Sequence, residues 1–212
     1  MYRPQGDSEL LGRALREAGP APGAQVLDVC TGTGVIAIAA ARLGAARVHA
    51  VDISAPAVFA AHCNARLRRL PVTAERGDFL LRTDGRRYDV VTANPPYVPT
   101  PLDDPRSRRS AAWNAGEDGR VCVDRLCAAA PRLLRTGGML LLVHSSLCGP
   151  ETTLRRLRDV GLRPAVVARR VQPFGPVLRD RAAWLEDRGL IARGQRSEEL
   201  VVVRADKPAR GR

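Results

Sequence analysis

The tetrapeptide Asn94-Pro95-Pro96-Tyr97 follows a β-prone run, residues 88–93, and carries the groups needed to hold a planar nitrogen. The lone pair of an amide or exocyclic amine is delocalised, so such a nitrogen is a poor nucleophile. The Asn94 side-chain carbonyl can accept one N–H, and the Pro95 backbone carbonyl can accept the other. Consecutive prolines stiffen the loop and aim both carbonyls in advance. The tetrapeptide therefore predicts catalysis at an NH₂ nitrogen, with Pro96 and Tyr97 in contact with the acceptor. The alternative is that the tetrapeptide only forms a rigid turn by which the chain leaves the strand.

A glycine turn between the strand-like residues 25–29 and a helical run forms a second candidate site. Gly32 and Gly34 let the backbone turn sharply and approach a ligand closely. Asp52 ends the next strand-like run, where a carboxylate can accept both hydroxyls of a ribose. Three interpretations compete here. The turn is a simple chain reversal, a dinucleotide-binding site or an S-adenosylmethionine-binding site. The dinucleotide interpretation rests on residues 32–37, which match G-x-G-x-x-A.

Two further acids favour the methyl donor. Asp28 lies four residues before the first glycine, and Asp78 follows the third strand-like run, where it can meet an adenine amine. A hydride-transfer enzyme has no need of the tetrapeptide, so the two motifs together predict methyl transfer from S-adenosylmethionine to nitrogen. The predicted catalytic residues are Asn94, Pro95 and Tyr97. The predicted cofactor-binding residues are Asp28, Thr31, Gly32, Gly34, Asp52, Ile53, Asp78, Phe79 and Asn94.

Strand-like and helical runs alternate along most of the 212 residues. This alternation predicts βαβ units, a largely parallel sheet and a single domain, with ligands at the carboxyl ends of the strands. Residues 1–20 are expected to cover the cofactor, and residues 95–117 to form a substrate loop. Residues 173–197, with a short helix near 180–187, form an insertion before the last strand, and residues 206–212 a flexible tail. Long loops in such folds usually carry function.

The composition is basic, with a formal charge of +12, and Lys207 is the only lysine among 34 basic residues. The arginines are interspersed with acids, which is typical of a solvated surface. We therefore expect only weak, non-specific nucleic-acid binding, with a surface that binds nucleic acid or an acidic partner as the alternative. The five cysteines form no C-x-x-C pair, which favours reduced thiols and predicts no metal site. The sequence predicts neither a signal peptide nor a membrane span of ~20 apolar residues, and hence a cytoplasmic location.

Two isolated side chains are further candidates on the substrate side. His144 ends the strand-like residues 139–143, where we expect a structural or substrate-lining histidine. An amide acceptor loses its proton after transfer, so no base is required. A carbon or ring-nitrogen acceptor would instead make His144 the general base. Trp113 is expected to face the substrate, with core or lid packing as the alternative.

Together these residues resemble the HemK-type family, whose members methylate a glutamine side-chain nitrogen in translation termination factors. Residues 4–9, PQGDSE, are similar to the family's P-x-x-D-[ST] segment. Residues 111–120, AAWNAGEDGR, are similar to the W-x-G-G-x-x-G-R stretch of its eukaryotic and archaeal branch. The resemblance covers nearly the whole chain. It implies a Rossmann-like class I methyltransferase, with about seven strands in a mostly parallel sheet and helices on both faces.

The departures from the family concern the substrate more than the chemistry. Ala115 stands where that branch has glycine, Gly6 stands where an acid is common, and residues 173–197 are unlike the compact family ending. The bacterial branch has an N-terminal helical domain that grips the termination factor, which we expect to be lacking here. The eukaryotic branch uses a small zinc-binding activator subunit, a candidate partner. Methylation of a small metabolite or a nucleobase, and a non-enzymatic nucleoside- or RNA-binding module, remain alternatives.

Overall fold

Strands and helices alternate along the chain in the computed structural model, which describes residues 6–101 and 115–209. The strands are β1 (Gln25–Val29), β2 (Arg47–Asp52), β3 (Val72–Arg76), β4 (Tyr88–Ala93), β5 (Leu134–Ser145), β6 (Arg163–Pro173) and β7 (Ser197–Asp206). The helices in these residues are α1 (Gly6–Ala18), α2 (Val35–Arg42), α3 (Ala55–Leu67), α4 (Phe79–Arg82), α5 (Val121–Leu133), α6 (Pro150–Asp159), α7 (Pro176–Asp180) and α8 (Ala182–Asp187). A 3-10 turn, Ser146–Cys148, joins β5 to α6.

The strands form one sheet in the order β3-β2-β1-β4-β5-β7-β6. The first five in this order are parallel, whereas β7 is antiparallel to both of its neighbours. The predicted seven-stranded, mostly parallel, Rossmann-like sheet is therefore confirmed. The chain order reverses between β1 and β4, and such a reversal opens a crevice at the carboxyl ends of the strands. Val29 is level with Val51 and with Ala93. The residues that come directly after these three positions in β1, β2 and β4 therefore lie at this crevice.

Alternate strand residues point to opposite faces of the sheet, and each face is covered by helices. Val26 belongs to a buried cluster that includes Leu11 and Leu15 of α1. Its neighbour Leu27 belongs to a second cluster, which includes Leu126 of α5 and residues of α6. The spacing of the apolar residues of α1 places them on one face of that helix. Helices thus lie on both faces, as predicted.

The insertion at residues 173–197 contains two helices, α7 and α8, where the sequence predicted one. Its apolar side chains bury one another in a small cluster separate from the two main ones, formed by Phe174, Leu178, Ala182, Leu185 and Ile191. Within the segment predicted to cover the cofactor, residues 6–18 form a helix whose buried side packs on the sheet. Only the first turn of α1 reaches the crevice, through Asp7 and Ser8.

The prediction of a flexible tail over residues 206–212 is wrong for its first two residues, 206 and 207. Asp206 closes β7, and Lys207 Nζ donates hydrogen bonds to the carbonyls of Pro131, at 2.6 Å, and Leu134, at 2.9 Å. These contacts fasten the end of β7 to the α5–β5 junction. Within residues 6–101 and 115–209, no helix has the length and apolar character needed to cross a membrane.

Candidate active site

A cavity of about 560 Å³ opens at the carboxyl ends of the strands, a volume typical of small-molecule sites. It extends from the end of β2 to β6 and β7. Of the residues predicted for cofactor, catalysis or substrate, its walls include Asp28, Thr31, Gly32, Asp52, Ile53, Asp78, Phe79, Asn94, Pro95, Pro96 and Tyr97. Its walls also include polar residues that were not predicted as site residues, among them Asp7, Ser8, Arg125, Gln172, Arg181 and Glu198.

The glycine loop between β1 and α2 adopts backbone angles that favour glycine. Gly32 has φ of 55° and Gly34 has φ of 84°. Gly32 lines the cavity, but Gly34 does not, and a Cβ at residue 34 would lie 3.1 Å from the Ala61 Cβ. The cofactor-contact prediction for Gly34 is therefore wrong, because this glycine allows α3 to pack against the loop. Asn64 of α3 adds to this contact by donating a hydrogen bond to the Thr33 carbonyl at 3.0 Å.

Asp52, at the end of β2, is fixed by two backbone donors. Its Oδ2 accepts a hydrogen bond from the Gly32 N–H at 2.9 Å, and its Oδ1 accepts one from the Ser54 N–H at 2.9 Å. A carboxylate has about four lone-pair sites, so both oxygens keep capacity for a ligand. Ile53, beside it, is 39% exposed and lines the same cavity. The end of β2 therefore presents two oriented carboxylate oxygens, those of Asp52, beside an apolar surface.

Asp28 lies under the glycine loop and is 1% exposed. Its Oδ2 accepts hydrogen bonds from the Thr31 hydroxyl at 2.6 Å and the Ala37 N–H at 3.1 Å. Its Oδ1 accepts one from the Thr92 hydroxyl at 2.7 Å. Burial raises the pKa of Asp28 to about 6, although these hydrogen bonds oppose the rise. Asp28 therefore orders the loop from below, joining the start of α2 to β4.

Replacing Asp28 with asparagine is expected to change how stability depends on pH. The folded-state pKa is raised from 3.8 to about 6, so the folded protein binds more protons than the unfolded chain between these values. The stability of the wild type should then fall as pH rises from about 4 to 6, relative to Asp28→Asn, by on the order of 2–3 kcal/mol. Urea unfolding of both proteins from pH 4 to 8 measures this difference. Parallel curves across that range would contradict the assignment.

Asp78, the residue before α4, is paired with α5. Its Oδ1 caps α4 by accepting the Leu80 N–H at 2.9 Å, and its Oδ2 accepts Arg125 Nη2 at 2.7 Å. Burial alone would raise the pKa of Asp78, but the Arg125 and Leu80 hydrogen bonds outweigh it and lower the pKa. The Arg125 guanidinium also lies 5.5 Å from the centre of the buried Phe79 ring. The carboxylate thus stays charged beside an apolar wall, an arrangement suited to an adenine.

The tetrapeptide follows β4 and faces the first turn of α1. Asn94 is half-buried, and its Nδ2 lies 3.5 Å from the Ser8 hydroxyl. The Tyr97 hydroxyl donates a hydrogen bond to Asp7 Oδ2 at 3.2 Å, and the ring is only 6% exposed. Tyr97 is therefore anchored in the core while part of it still lines the cavity.

Gly119 and Arg120, which end the stretch similar to W-x-G-G-x-x-G-R, pack beside the tetrapeptide. Gly119 has φ of 72°, and a Cβ there would overlap the Tyr97 carbonyl oxygen. The same carbonyl accepts a hydrogen bond from Cys148 Sγ at 2.9 Å. Arg120, 6% exposed, donates to the Cys148 carbonyl and pairs with Asp124 at 2.6 Å. The described part of this motif, residues 115–120, therefore contributes packing and is not part of the cavity wall.

The insertion at residues 173–197 forms the cavity wall on the side of the tetrapeptide away from the glycine loop. We name this side the acceptor end. Arg181, 9% exposed, donates from Nη1 to the Pro99 carbonyl at 3.0 Å and to the Thr100 hydroxyl at 2.8 Å. These bonds tie α7 and α8 to the chain that leaves the tetrapeptide. Leu178 of α7 lines the cavity from that side. The long loop at 173–197 was noted in the sequence, but its partner segment lies about 80 residues away, and no local pattern reveals that pairing.

The substrate prediction for His144 is wrong. The side chain is 0% exposed and does not line the cavity. Its Nδ1 lies 2.8 Å from the Ser145 carbonyl oxygen, and burial lowers the pKa of His144 to about 4. A neutral, enclosed imidazole does not reach the acceptor, so its role is structural. The prediction for Trp113 lies outside the described residues.

Solved structures share this fold. E. cuniculi Mtq2 aligns with a TM-score of 0.64 at 24% identity, over 97% of this chain and 98% of its own. The T. thermophilus 16S rRNA methyltransferase RsmC aligns with a TM-score of 0.61 at 22% identity, over 97% of this chain and 44% of its own. A profile of the ribosomal protein L11 methyltransferase (PrmA) family matches residues 13–95. The chain therefore has the class I methyltransferase fold.

Sequence relatives specify the family. A Methanocaldococcus jannaschii protein named as an N5-glutamine methyltransferase is 35% identical over 175 residues, 82% of this chain and 87% of that protein. Mouse methyltransferase HEMK2 is 33% identical over 172 residues, 77% of this chain and 80% of that protein. The release factor glutamine methyltransferase of Moorella thermoacetica is 39% identical, but the chain spans only 52% of its length. The chain belongs to the HemK-type N5-glutamine methyltransferase family, so the predicted enzyme class and family are confirmed.

Proposed function

We propose that this enzyme transfers the methyl group of S-adenosylmethionine to the side-chain amide of a glutamine in a cytoplasmic translation termination factor. The observation that carries the proposal is the presence of the tetrapeptide 94–97 and the glycine loop with Asp52 in one cavity. The M. jannaschii relative is named for glutamine N5-methylation. The E. cuniculi neighbour is described as responsible for methylation of the termination factor eRF1. Both support this substrate class over a metabolite or a nucleobase.

The chemistry of the cavity matches S-adenosylmethionine along its length. Asp52 offers two carboxylate oxygens for the ribose hydroxyls, and the exposed side of Ile53 provides a surface for the adenine. Phe79 provides a second apolar surface, and the charged Asp78 provides an acceptor for the adenine amine. Gly32 and Thr31 leave room for the rest of the cofactor close to the backbone.

The chain's own groups prepare the acceptor nitrogen. The cofactor supplies an electrophilic methyl group on a sulfonium sulfur. The Asn94 side-chain carbonyl and the Pro95 backbone carbonyl accept the two N–H groups of the glutamine amide, which turns its lone pair out of conjugation. Asn94 Nδ2 faces Ser8, which leaves its carbonyl oxygen for the substrate. The nitrogen loses one proton to solvent after the N–C bond forms, so the burial of His144 is compatible with the reaction.

A small activator subunit is a candidate partner, since the E. cuniculi neighbour is a complex with Trm112. Specific nucleic-acid binding is not part of the proposal. Several exposed arginines are paired with acids, as in Arg169–Glu199 at 2.6 Å and Arg196–Glu186 at 2.7 Å. Such pairs reduce the positive potential that a phosphate backbone would meet.

Transfer of label from methyl-tritiated cofactor into a cell extract tests the proposal. We expect label in one protein of termination-factor size, sensitive to protease and resistant to nuclease, at a glutamine identified by mass spectrometry. Purified termination factor should then accept label, and its Gln→Ala variant should not. Label that enters nucleic acid or a small molecule would overturn the substrate assignment and leave the methyltransferase class intact. The Asn94→Ala variant serves as the negative control.

A further inference from the structure

A buried carboxylate that the methyl-transfer chemistry does not use lies at the acceptor end of the cavity. Glu198, near the start of β7, is 4% exposed and lines the cavity. Its Oε1 accepts a hydrogen bond from Gln172 Nε2 at 3.0 Å. Its Oε2 is buried and makes no well-aligned hydrogen bond within residues 6–101 and 115–209, although the Ser145 hydroxyl lies near the carboxylate. A buried carboxylate oxygen without a donor is costly, so this atom is suited to a donor that a ligand brings.

The surroundings of Glu198 connect it to the tetrapeptide. β7 lies between β5 and β6, and Glu198 pairs with Gln172 across the β6–β7 ladder. Its side chain shares a sheet face with Leu200, the face that α1 covers. Asp7 of α1 lies close enough to act on its charge and also accepts the Tyr97 hydroxyl. Asp7 therefore neighbours both Glu198 and Tyr97 of the tetrapeptide.

Within residues 6–101 and 115–209, the groups that act on the charge of Glu198 are polar or acidic. Burial raises the pKa of Glu198, the polar side chains of Ser145 and Gln172 partly oppose the rise, and the Asp7 carboxylate adds to it. No cation is among these groups. Arg181, the buried cation at this end of the cavity, is directed to Pro99 and Thr100.

We propose that Glu198 is a specificity residue for the acceptor, whose Oε2 accepts a hydrogen bond from a backbone N–H of the peptide that carries the target glutamine. Gln172 holds Oε1 and so orients the carboxylate. An uncharged N–H suits this end of the cavity because Pro176, Val177 and Leu178 line it with apolar surface. The assignment rests on the proposed function, and it explains how a peptide is recognised beyond the amide that reacts.

The first test compares Glu198→Ala with Glu199→Ala. Glu199 is the next residue of β7, pairs with Arg169 and does not line the cavity, so it is a matched control. For termination-factor methylation, Glu198→Ala should raise KM about tenfold or more, as expected for loss of one hydrogen bond to a charged group. Its kcat and its Kd for S-adenosylhomocysteine should stay within about twofold of the wild type. The control should match the wild type in all three. An unchanged KM in a folded Glu198→Ala protein would overturn the proposal.

The second test does not depend on the termination factor. The probes are acetyl-glutamine-methylamide and its analogue methylated at both backbone nitrogens, which lacks the backbone N–H groups. Titration into the enzyme with S-adenosylhomocysteine, followed by NMR, should show tighter binding of the first probe to the wild type and equal binding to Glu198→Ala. Equal binding of both probes to the wild type, or no binding of either, would overturn the role of Glu198. Failure of the termination factor to accept methyl, with the probe difference intact, would overturn only the proposed protein substrate.

Discussion

Asn94→Ala is expected to lower kcat about a hundredfold or more, the loss that corresponds to a transition-state contact of ~2.7 kcal/mol. The side-chain carbonyl holds an N–H of the acceptor while the nitrogen lone pair turns toward the methyl group. Cofactor affinity should change only a few-fold, because the glycine loop and Asp52 are untouched. Single-turnover methyl transfer, measured beside a calorimetric cofactor titration, separates the two quantities.

Three further variants define the role of the tetrapeptide. Asn94→Asp keeps an oxygen but adds charge and removes the N–H₂ that faces Ser8, so its rate should stay well below that of the wild type. Tyr97→Phe loses the hydroxyl that donates to Asp7 and should retain most activity, whereas Tyr97→Ala removes a buried ring and should raise KM. If Asn94→Ala turned over at the wild-type rate, the acceptor would not be held by this tetrapeptide.

Asp52→Ala is expected to weaken S-adenosylmethionine binding at least about tenfold, since hydrogen bonds to charged groups contribute roughly 1.5–3 kcal/mol each and ~1.4 kcal/mol is one decade in Kd. The carboxylate is the acceptor for the ribose hydroxyls, and it also holds the Gly32 and Ser54 N–H groups in place. Isothermal titration with the cofactor measures the change.

Asp52→Asn is the control, because it keeps one acceptor oxygen and nearly the same volume. Its affinity should lie between those of the wild type and Asp52→Ala. Thermal unfolding establishes that each variant is folded. Unchanged cofactor affinity in a folded Asp52→Ala protein would refute the assignment, and tight NADH binding by the wild type would revive the dinucleotide interpretation.

The parts of the site that the sequence predicted are those carried by a strand and the residues directly after it. Asp52 ends β2 and the tetrapeptide follows Ala93 of β4, and the ends of these strands are level in the sheet. Once parallel strands are inferred, such residues must meet at one edge. Gly34 was misassigned because close approach of α3 requires the same residue as close approach of a ligand.

The parts that the sequence did not predict depend on contacts between distant segments. Glu198 reaches the cavity because β7 runs antiparallel beside β5, which places the start of β7 at the ligand edge. His144 was expected at a strand end, but β5 continues to Ser145, and His144 pairs with Val201 inside the ladder. Neither the antiparallel insertion of a strand nor one extra residue at the end of a ladder leaves a periodic pattern in the sequence.

The position of the last strand has a consequence for biosynthesis. Among the strands of residues 6–101 and 115–209, β6 pairs with β7 alone, so it cannot join the sheet before β7 is available. During translation, residues 25–145 can form a five-stranded parallel sheet with the glycine loop and the tetrapeptide in place, because domains fold as the chain emerges. The wall that contains Gln172 and Glu198 assembles only when residues 197–206 have left the ribosome. A nascent chain can thus acquire the methyl-donor half of the cavity before it acquires the wall facing the acceptor.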